Sequence, residues 1–265
     1  MLAKFESSGG KLHLGINIGK INIVDNQVVS IMGNNGEVIK SDNYIWCADP
    51  HSLFYDLIDK KYLDKNLRYM YDNPQGYVSN TCYQVAFGIA TEEDLKLPKG
   101  SIIFSCDEYD VAGKTHNLCG MQVFDYDETL FPIEKRVIQC NILQNTENYA
   151  YWLGLKNNSS LYNQEKQHIA DELRLRIEKS ILSLKENSSY LEHIPQLHLQ
   201  LGVMHTKGGY MSFNPQKGYK SKYVKSTIKG LDNLYLASQW IQTSGGLPIA
   251  AVSGKFAVDN IKSSR

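Results

Sequence analysis

Several features that would assign this chain at once are missing from it. No apolar run in the 265 residues approaches the roughly 20 needed to cross a bilayer. The opening MLAKFESSGG holds no hydrophobic signal core. Neither sign of charge is in excess, since Lys+Arg and Asp+Glu both number 28. A neutral chain has no global attraction to nucleic acid or anionic lipid, which predicts no nucleic-acid partner and at most peripheral membrane contact. The five cysteines, Cys47, Cys82, Cys106, Cys119 and Cys140, are odd in number and include no Cys-x-x-Cys pair. That argues against a disulfide framework and against a zinc site, and it suits reduced thiols in a cytoplasmic protein. Metal spacing is absent, and the seven histidines are scattered. No Gly-x-Gly-x-x-Gly opens a strand–turn–helix anywhere.

What is present is an ordinary globular composition, 42% hydrophobic and 21% charged, in a chain long enough for one large domain or two modest ones. Its most informative stretch is GLDNLYLASQWIQTSGGLPIAAVSGKFAVDNIK, residues 230–262. Leu234–Ala237 suits a short buried strand. Trp240–Gly246 is a turn-rich loop. Pro248 falls at a first helical position, and Ile249, Val252, Phe256 and Ile261 recur at helical spacing. One reading is a glycine turn between a core strand and a core helix. The other is a helix N-terminus, with unpaired N–H groups and partial positive charge, brought up to a ligand.

Taken in order, residues 1–10 read as the tail of a helix stopped by Gly9–Gly10, which predicts that a strand and helix belong ahead of it. Residues 11–48 read as an antiparallel meander with hairpin turns at Asp25–Asn26 and Asn35–Gly36, the second suited to type I′, leading to a buried strand at Tyr44–Trp46. Asp49 is placed to cap the segment that begins at Pro50. Strand-like runs at 83–89, 101–105, 119–124 and 136–143 predict an antiparallel sheet. Ile169, Leu173, Ile177, Ile181 and Leu184 stripe a long helix over about 161–186. Five lysines between Lys217 and Lys229 alternate with Tyr219 and Tyr223. This is a solvated loop or, in a third reading, a single-strand nucleic-acid binder.

The 230–262 stretch resembles the C-terminal FAD-contacting motif of the phytoene desaturase-like flavin oxidoreductases, a family that includes carotenoid isomerase and retinol saturase relatives. The matching residues are Gly230–Leu231, Leu234–Ala237, Trp240, Gly245–Gly246–Leu247–Pro248 and Ser253–Gly254. The N-terminal block is similar to the same family at Leu2–Ala3, Phe5–Glu6, Gly9–Gly10, Leu12, Ile18, Ile21, Asp42 and Ala48–Asp49–Pro50–His51. The resemblance covers nearly the whole chain but only the C-terminal portion of a family member. It lacks the family's N-terminal dinucleotide fingerprint and the Thr-Pro that follows the long helix, where Gln196–Leu197–His198 stands instead. Gln239 takes a place that is acidic in some relatives.

The resemblance implies an α/β fold: an incomplete FAD/NAD(P)-binding Rossmann-like domain with an inserted antiparallel-sheet substrate domain. The implied segments are 1–50 and 206–265 for FAD and 51–205 for substrate. It implies FAD contacts at Ile18, Cys47, Ala48, Gln239, Trp240, Gly245, Gly246, Leu247, Pro248 and Ile249, with no metal and no assigned catalytic residue. His51 and His205 flank the cofactor-side junctions. The implied activity is hydride transfer from a lipophilic, isoprenoid or polyene-like substrate to flavin, with a separately encoded N-terminal half as partner. The alternative is a truncated, non-catalytic binding module that has lost FAD.

Overall fold

Alternation of apolar and polar residues builds most of this molecule, and a few polar caps end its helices. The computed structural model describes residues 1–90, 98–124, 126, 127, 129, 135–179, 191–193, 209 and 211–264. In chain order its elements are α1 (Leu2–Ser7), β1 (Ile18–Val24), β2 (Gln27–Gly33), β3 (Val38–Ile39), β4 (Tyr44–Trp46) and α2 (Pro50–Ser52). A π-helical turn (Leu53–Leu57) and a 3-10 turn (Lys60–Tyr62) lead to α3 (Lys65–Asp72), β5 (Tyr77–Val78), β6 (Thr81–Ala90), β7 (Ser101–Val111), β8 (Lys114–Phe124) and β9 (Lys135–Gln144). Then come α4 (Thr146–Lys156), α5 (Ser159–Ile177), β10 (Leu191–His193), β11 (Asn214–Pro215), β12 (Leu234–Leu236), a 3-10 turn (Gln239–Ile241) and α6 (Leu247–Ser263). The fold is mixed helix and strand. The chain divides into two units, Met1–Tyr77 with Met211–Arg265, and Val78–Tyr210. The boundary after Tyr77 leaves residues 51–77 with the N-terminal strands.

The first unit carries the meander β1-β2-β3 and a two-stranded sheet of β12 and β4. The β1–β2 hairpin closes between Val24 and Gln27, with Asp25 at φ 47° and Asn26 at φ 64°. Two positive φ angles in a two-residue loop are the type I′ geometry. It falls here rather than at Asn35–Gly36, where only Gly36 (φ 82°) is positive. Asp49 caps α2 by accepting from His51 N at 2.8 Å, and Asp64 caps α3 by accepting from Asn66 N and Leu67 N. The core gathers Leu53, Phe54, Leu67, Met70, Phe213, Leu236 and Trp240 from both ends of the chain.

The second unit is a five-stranded antiparallel sheet in the order β10-β6-β9-β8-β7, with α4 and α5 on one face. All four strand-like runs of the sequence are strands. β7 extends past its expected end at 105 to Val111, through a register shift between Ser105 and Tyr109. Asp107, Glu108 and Asp110 therefore lie in the strand and not in a turn. Of the helical stripe, Ile169, Leu173 and Ile177 are buried, while Ile181 and Leu184 lie outside the described residues. α4 escaped the sequence reading because its apolar residues follow no helical stripe and Gly154 interrupts it, an interior glycine that disfavours helix. Its start is nonetheless well defined: Asn145 accepts from Glu147 N and Asn148 N, and Asn148 Oδ1 accepts from Asn145 N at 3.0 Å.

Trp152 of α4 organises this second core. It is fully buried, stacks on Tyr83 at 5.2 Å between ring centroids, and donates from Nε1 to Gln144 Oε1 at 2.9 Å. Cys119 and Cys140 lie in the same core, their sulfurs 3.9 Å apart, and all five cysteines are free thiols. Trp152→Ala is expected to destabilise the second unit by about 3–5 kcal/mol through the cavity it leaves. Gln144→Leu is expected to cost about 1–3 kcal/mol by leaving the indole N–H without a partner. Denaturant unfolding followed by tryptophan fluorescence for Gln144→Leu, and by circular dichroism for both, checks this order.

Candidate functional site

The site is built on a parallel pair. β12 runs alongside β4 with Leu234, Tyr235 and Leu236 opposite Tyr44, Ile45 and Trp46. Tyr44 N donates to Asn233 O at 2.8 Å, and Ala237 N donates to Trp46 O at 2.9 Å, one at each end of the pair. Parallel strands deliver their carboxyl ends to the same side, which is where open α/β sheets bind ligands. Cys47 and Ala48 leave β4 there, both exposed. Residues Ala237–Gly246 leave β12 at the same end. Two segments far apart in the chain are thus brought together.

Asn233 fixes this junction, and the sequence reading passed over it. Its Oδ1 accepts from Val28 N at 2.8 Å, and its Nδ2 donates to Val28 O at 3.0 Å and to Asp42 O at 3.1 Å. One side chain therefore ties β2 and the approach to β4 to the start of β12. An Asn just before a strand that occupies both of its polar atoms on backbone is a signal that sequence alone does not separate from an ordinary turn residue.

Past β12, Ser238 caps the 3-10 turn by accepting from Trp240 N at 3.4 Å. Trp240 is buried in the core with its ring 5.6 Å from that of Phe213, edge to face. Ser244, Gly245 and Gly246 then take three successive positive φ angles, 72°, 56° and 92°. Gln239 stabilises that reversal, its Oε1 accepting from Gly246 N at 3.1 Å. Gly245 has a second constraint. A Cβ there would stand 2.5 Å from Ser212 Cβ and 3.0 Å from Gln239 O.

Gly246 is the N-cap of α6, with Pro248 in its first turn. Leu247 is 87% exposed, so the helix starts at the surface. Ala250 N donates to Gly246 O at 3.0 Å, but the N–H groups of Leu247 and Ile249 have no partner among the described residues. Pro248 has none to offer. Ser253 and Ala257 turn inward, and Ala257 meets Tyr235 of β12 and Ala237 just past it. The other side of the helix exposes Val252 and Phe256.

Other expected residues lie elsewhere in this unit. Ile18 opens β1, half-buried against the main core and opposite Gly33. His51 stacks on Tyr55 at 4.3 Å and meets Tyr71 edge-on at 5.2 Å. His51 Nδ1, Tyr71 Oη and Ser212 Oγ are buried without a hydrogen-bond partner among the described residues. Burial, then the Asp49 carboxylate, holds the Tyr71 hydroxyl well above its usual range. His205 lies outside the described residues. In the lysine-rich segment, Tyr219 packs on Tyr77 at 5.4 Å and Lys222 Nζ sits 4.6 Å over the Tyr69 ring, so two of its members are engaged within the fold. No cluster of metal-binding side chains and no helix long and apolar enough to cross a membrane occurs among the described residues.

No protein-family model matches the chain, and no curated protein matches it in sequence. Solved structures do. Over 99% of its length the chain is similar to an oxidoreductase from Methanosarcina mazei, with a TM-score of 0.53 and 16% identity. Over 98% of its length it is similar to a protein from Pyrococcus furiosus, with a TM-score of 0.51 and 15% identity. It covers 52% and 50% of those chains, so it spans about half the length of the structures it matches. The likeness is one of fold, that of a solved oxidoreductase.

Gly245→Ala is expected to lower stability by about 1–3 kcal/mol, because a left-handed residue acquires a Cβ inside contact distance of backbone. Gly254→Ala serves as the control, since a Cβ at Gly254 meets nothing within 4 Å. Thermal melts of the two variants test whether the turn, rather than glycine content, sets the difference.

Proposed function

We propose that the chain is the C-terminal part of an FAD-dependent oxidoreductase of the phytoene desaturase-like kind, acting on a lipophilic, isoprenoid-like substrate. The observation that carries this reading is the parallel pairing of β4 with β12, which sets Cys47 and Ala48 at the same sheet end as Ala237 and Ser238. Supporting it, the donors at that end suit the electron-rich edge of a flavin. The N–H groups of Leu247 and Ile249 belong to a helix start, where the partial positive charge stabilises negative charge on a ligand. Gly246 leaves room for close approach, with nothing nearer than Pro248 Cδ at 3.8 Å to a Cβ placed there. Gln239 holds the turn through Gly246 N–H. When bound, a flavin supplies the hydride acceptor for oxidation of a substrate. The chain's own residues would seat and orient it and complement negative charge at its ring edge.

The same reading calls for a partner. A parallel sheet is normally covered on both faces and flanked by further strands. Here it has two strands among the described residues, Ile45 on β4 is 39% exposed, and α6 shows Val252 and Phe256 to solvent. An N-terminal half bearing the phosphate-binding loop would cover them. The second reading is a binding module that holds no FAD.

The visible spectrum of the purified chain separates the two. Flavin retained or taken up gives absorbance near roughly 450 nm, and Gly246→Ala is expected to weaken its uptake about tenfold. A protein that stays colourless with added FAD, both alone and with a co-expressed N-terminal half, supports the non-catalytic module instead.

A further inference from the structure

The second unit has a surface that neither the motif nor the solved structures explain. β6 turns Tyr83, Val85 and Phe87 into the core, and β9 turns in Ile138, Cys140 and Ile142. Side chains alternate along a strand, so the residues between them make the opposite face. On that face, along 82–88, 137–143, 118–124 and 101–105, every outward residue is uncharged. A water-facing antiparallel sheet ordinarily alternates apolar with polar residues, and this chain is 21% charged. Charge returns beyond these spans, as at Asp110 of β7, which is exposed between the inward Tyr109 and Val111.

The centre of the face is a set of amides. Gln84 pairs across strands with Asn141, and Gln139 with Gln122. Gln139 Nε2 donates to Asn141 Oδ1 at 2.9 Å, and Gln122 Nε2 donates to Val123 O at 2.8 Å. Beside them Gly120 keeps the floor low: a Cβ there would meet nothing nearer than Asn141 O at 3.5 Å. Ile103, Leu118 and Leu143 stand around the amides, each more than half exposed.

We infer that this face is the floor of a binding site for an uncharged, oxygen-bearing lipophile, a molecule with an apolar skeleton and a hydroxyl or carbonyl group. Three physical points select that occupant. An ionic ligand would lose its hydration against a face with no counter-charge. A plain hydrocarbon would strip water from the amides and return no hydrogen bond. A neutral oxygen suits carboxamides, which both donate and accept, and the leucine and isoleucine side chains take up the skeleton. The inference rests on the lipophilic-substrate reading above and narrows it.

The test titrates the full chain with geraniol, its carboxylate geranate and its deoxy hydrocarbon. Binding is followed through side-chain amide signals in proton–nitrogen correlation spectra. Geraniol is expected to move the Gln122 and Gln139 signals, assigned from single substitutions. It should bind at least about tenfold more tightly than either analogue. Gln139→Glu, and independently Gln84→Glu, should weaken geraniol about tenfold while leaving the melting temperature unchanged. Equal binding of the hydrocarbon or of geranate overturns the inference, as does an affinity that neither variant changes or a failure of all three probes to bind. Flavin absorbance on the same samples keeps the two readings apart. A colourless protein that binds geraniol removes the flavin reading alone. A coloured one that binds none of the probes removes this inference alone.

Discussion

The first unit depends on one long-range pairing. β4 and β12 lie far apart in sequence, so joining them closes a very long loop, and loop-closure entropy opposes it. The compensation is concentrated at the pair. Leu234, Tyr235 and Leu236 are all buried, backbone bonds join both ends, and Asn233 adds three side-chain bonds to backbone. Every other feature of the candidate site depends on this closure. The carboxyl ends of two parallel strands become neighbours, so Cys47 follows β4 beside the point where Ala237 follows β12.

The turn itself illustrates how a binding surface differs from a core. Strain is held at Ser244–Gly246 by contacts that leave little choice: Ser244 N on Phe213 O, Gly245 N on Gln242 O, and Gly246 N on the Gln239 amide. Over-determined strain of this kind is common where a protein shapes a backbone for a ligand. Below it, Trp240, Phe213, Tyr71 and His51 form a chain of ring contacts from the turn toward the end of β4. The three partnerless polar atoms, on His51, Tyr71 and Ser212, sit on or next to residues of that chain. The second unit is organised differently, around Trp152 and the paired strands of its sheet, and the described residues in the middle of one sheet face are uncharged.

How much of this was legible in the sequence depends on the range of each interaction. Period-two alternation marked β6, β8 and β9, because one buried face forces it. The helical stripe marked α5. The Gly245–Gly246–Leu247–Pro248 run marked the start of α6, since glycine before and proline after a helix start are local requirements. α4 was not legible. Its apolar residues follow no clean period, and its stability comes from Trp152 reaching Tyr83 and Gln144. The extent of β7 was hidden too, since Asp107, Glu108 and Asp110 look like a turn until the register shift lets the strand run on past them.

The sequence by itself determined the local conformations: most of the strands, the glycine turn and the cap at Asp49. These depend on residues a few positions apart, whose sterics and hydrogen bonds are fixed by identity and order. Only the tertiary structure decided that Asn233 clamps β2 to the parallel pair, that Gln239 accepts from Gly246, that Trp240 is buried, and that the outward amides of β6, β8 and β9 share one uncharged face. Those outcomes depend on strand register and chain reversal between distant residues, and a hydrogen bond or a buried ring records nothing of its partner in the residue that carries it.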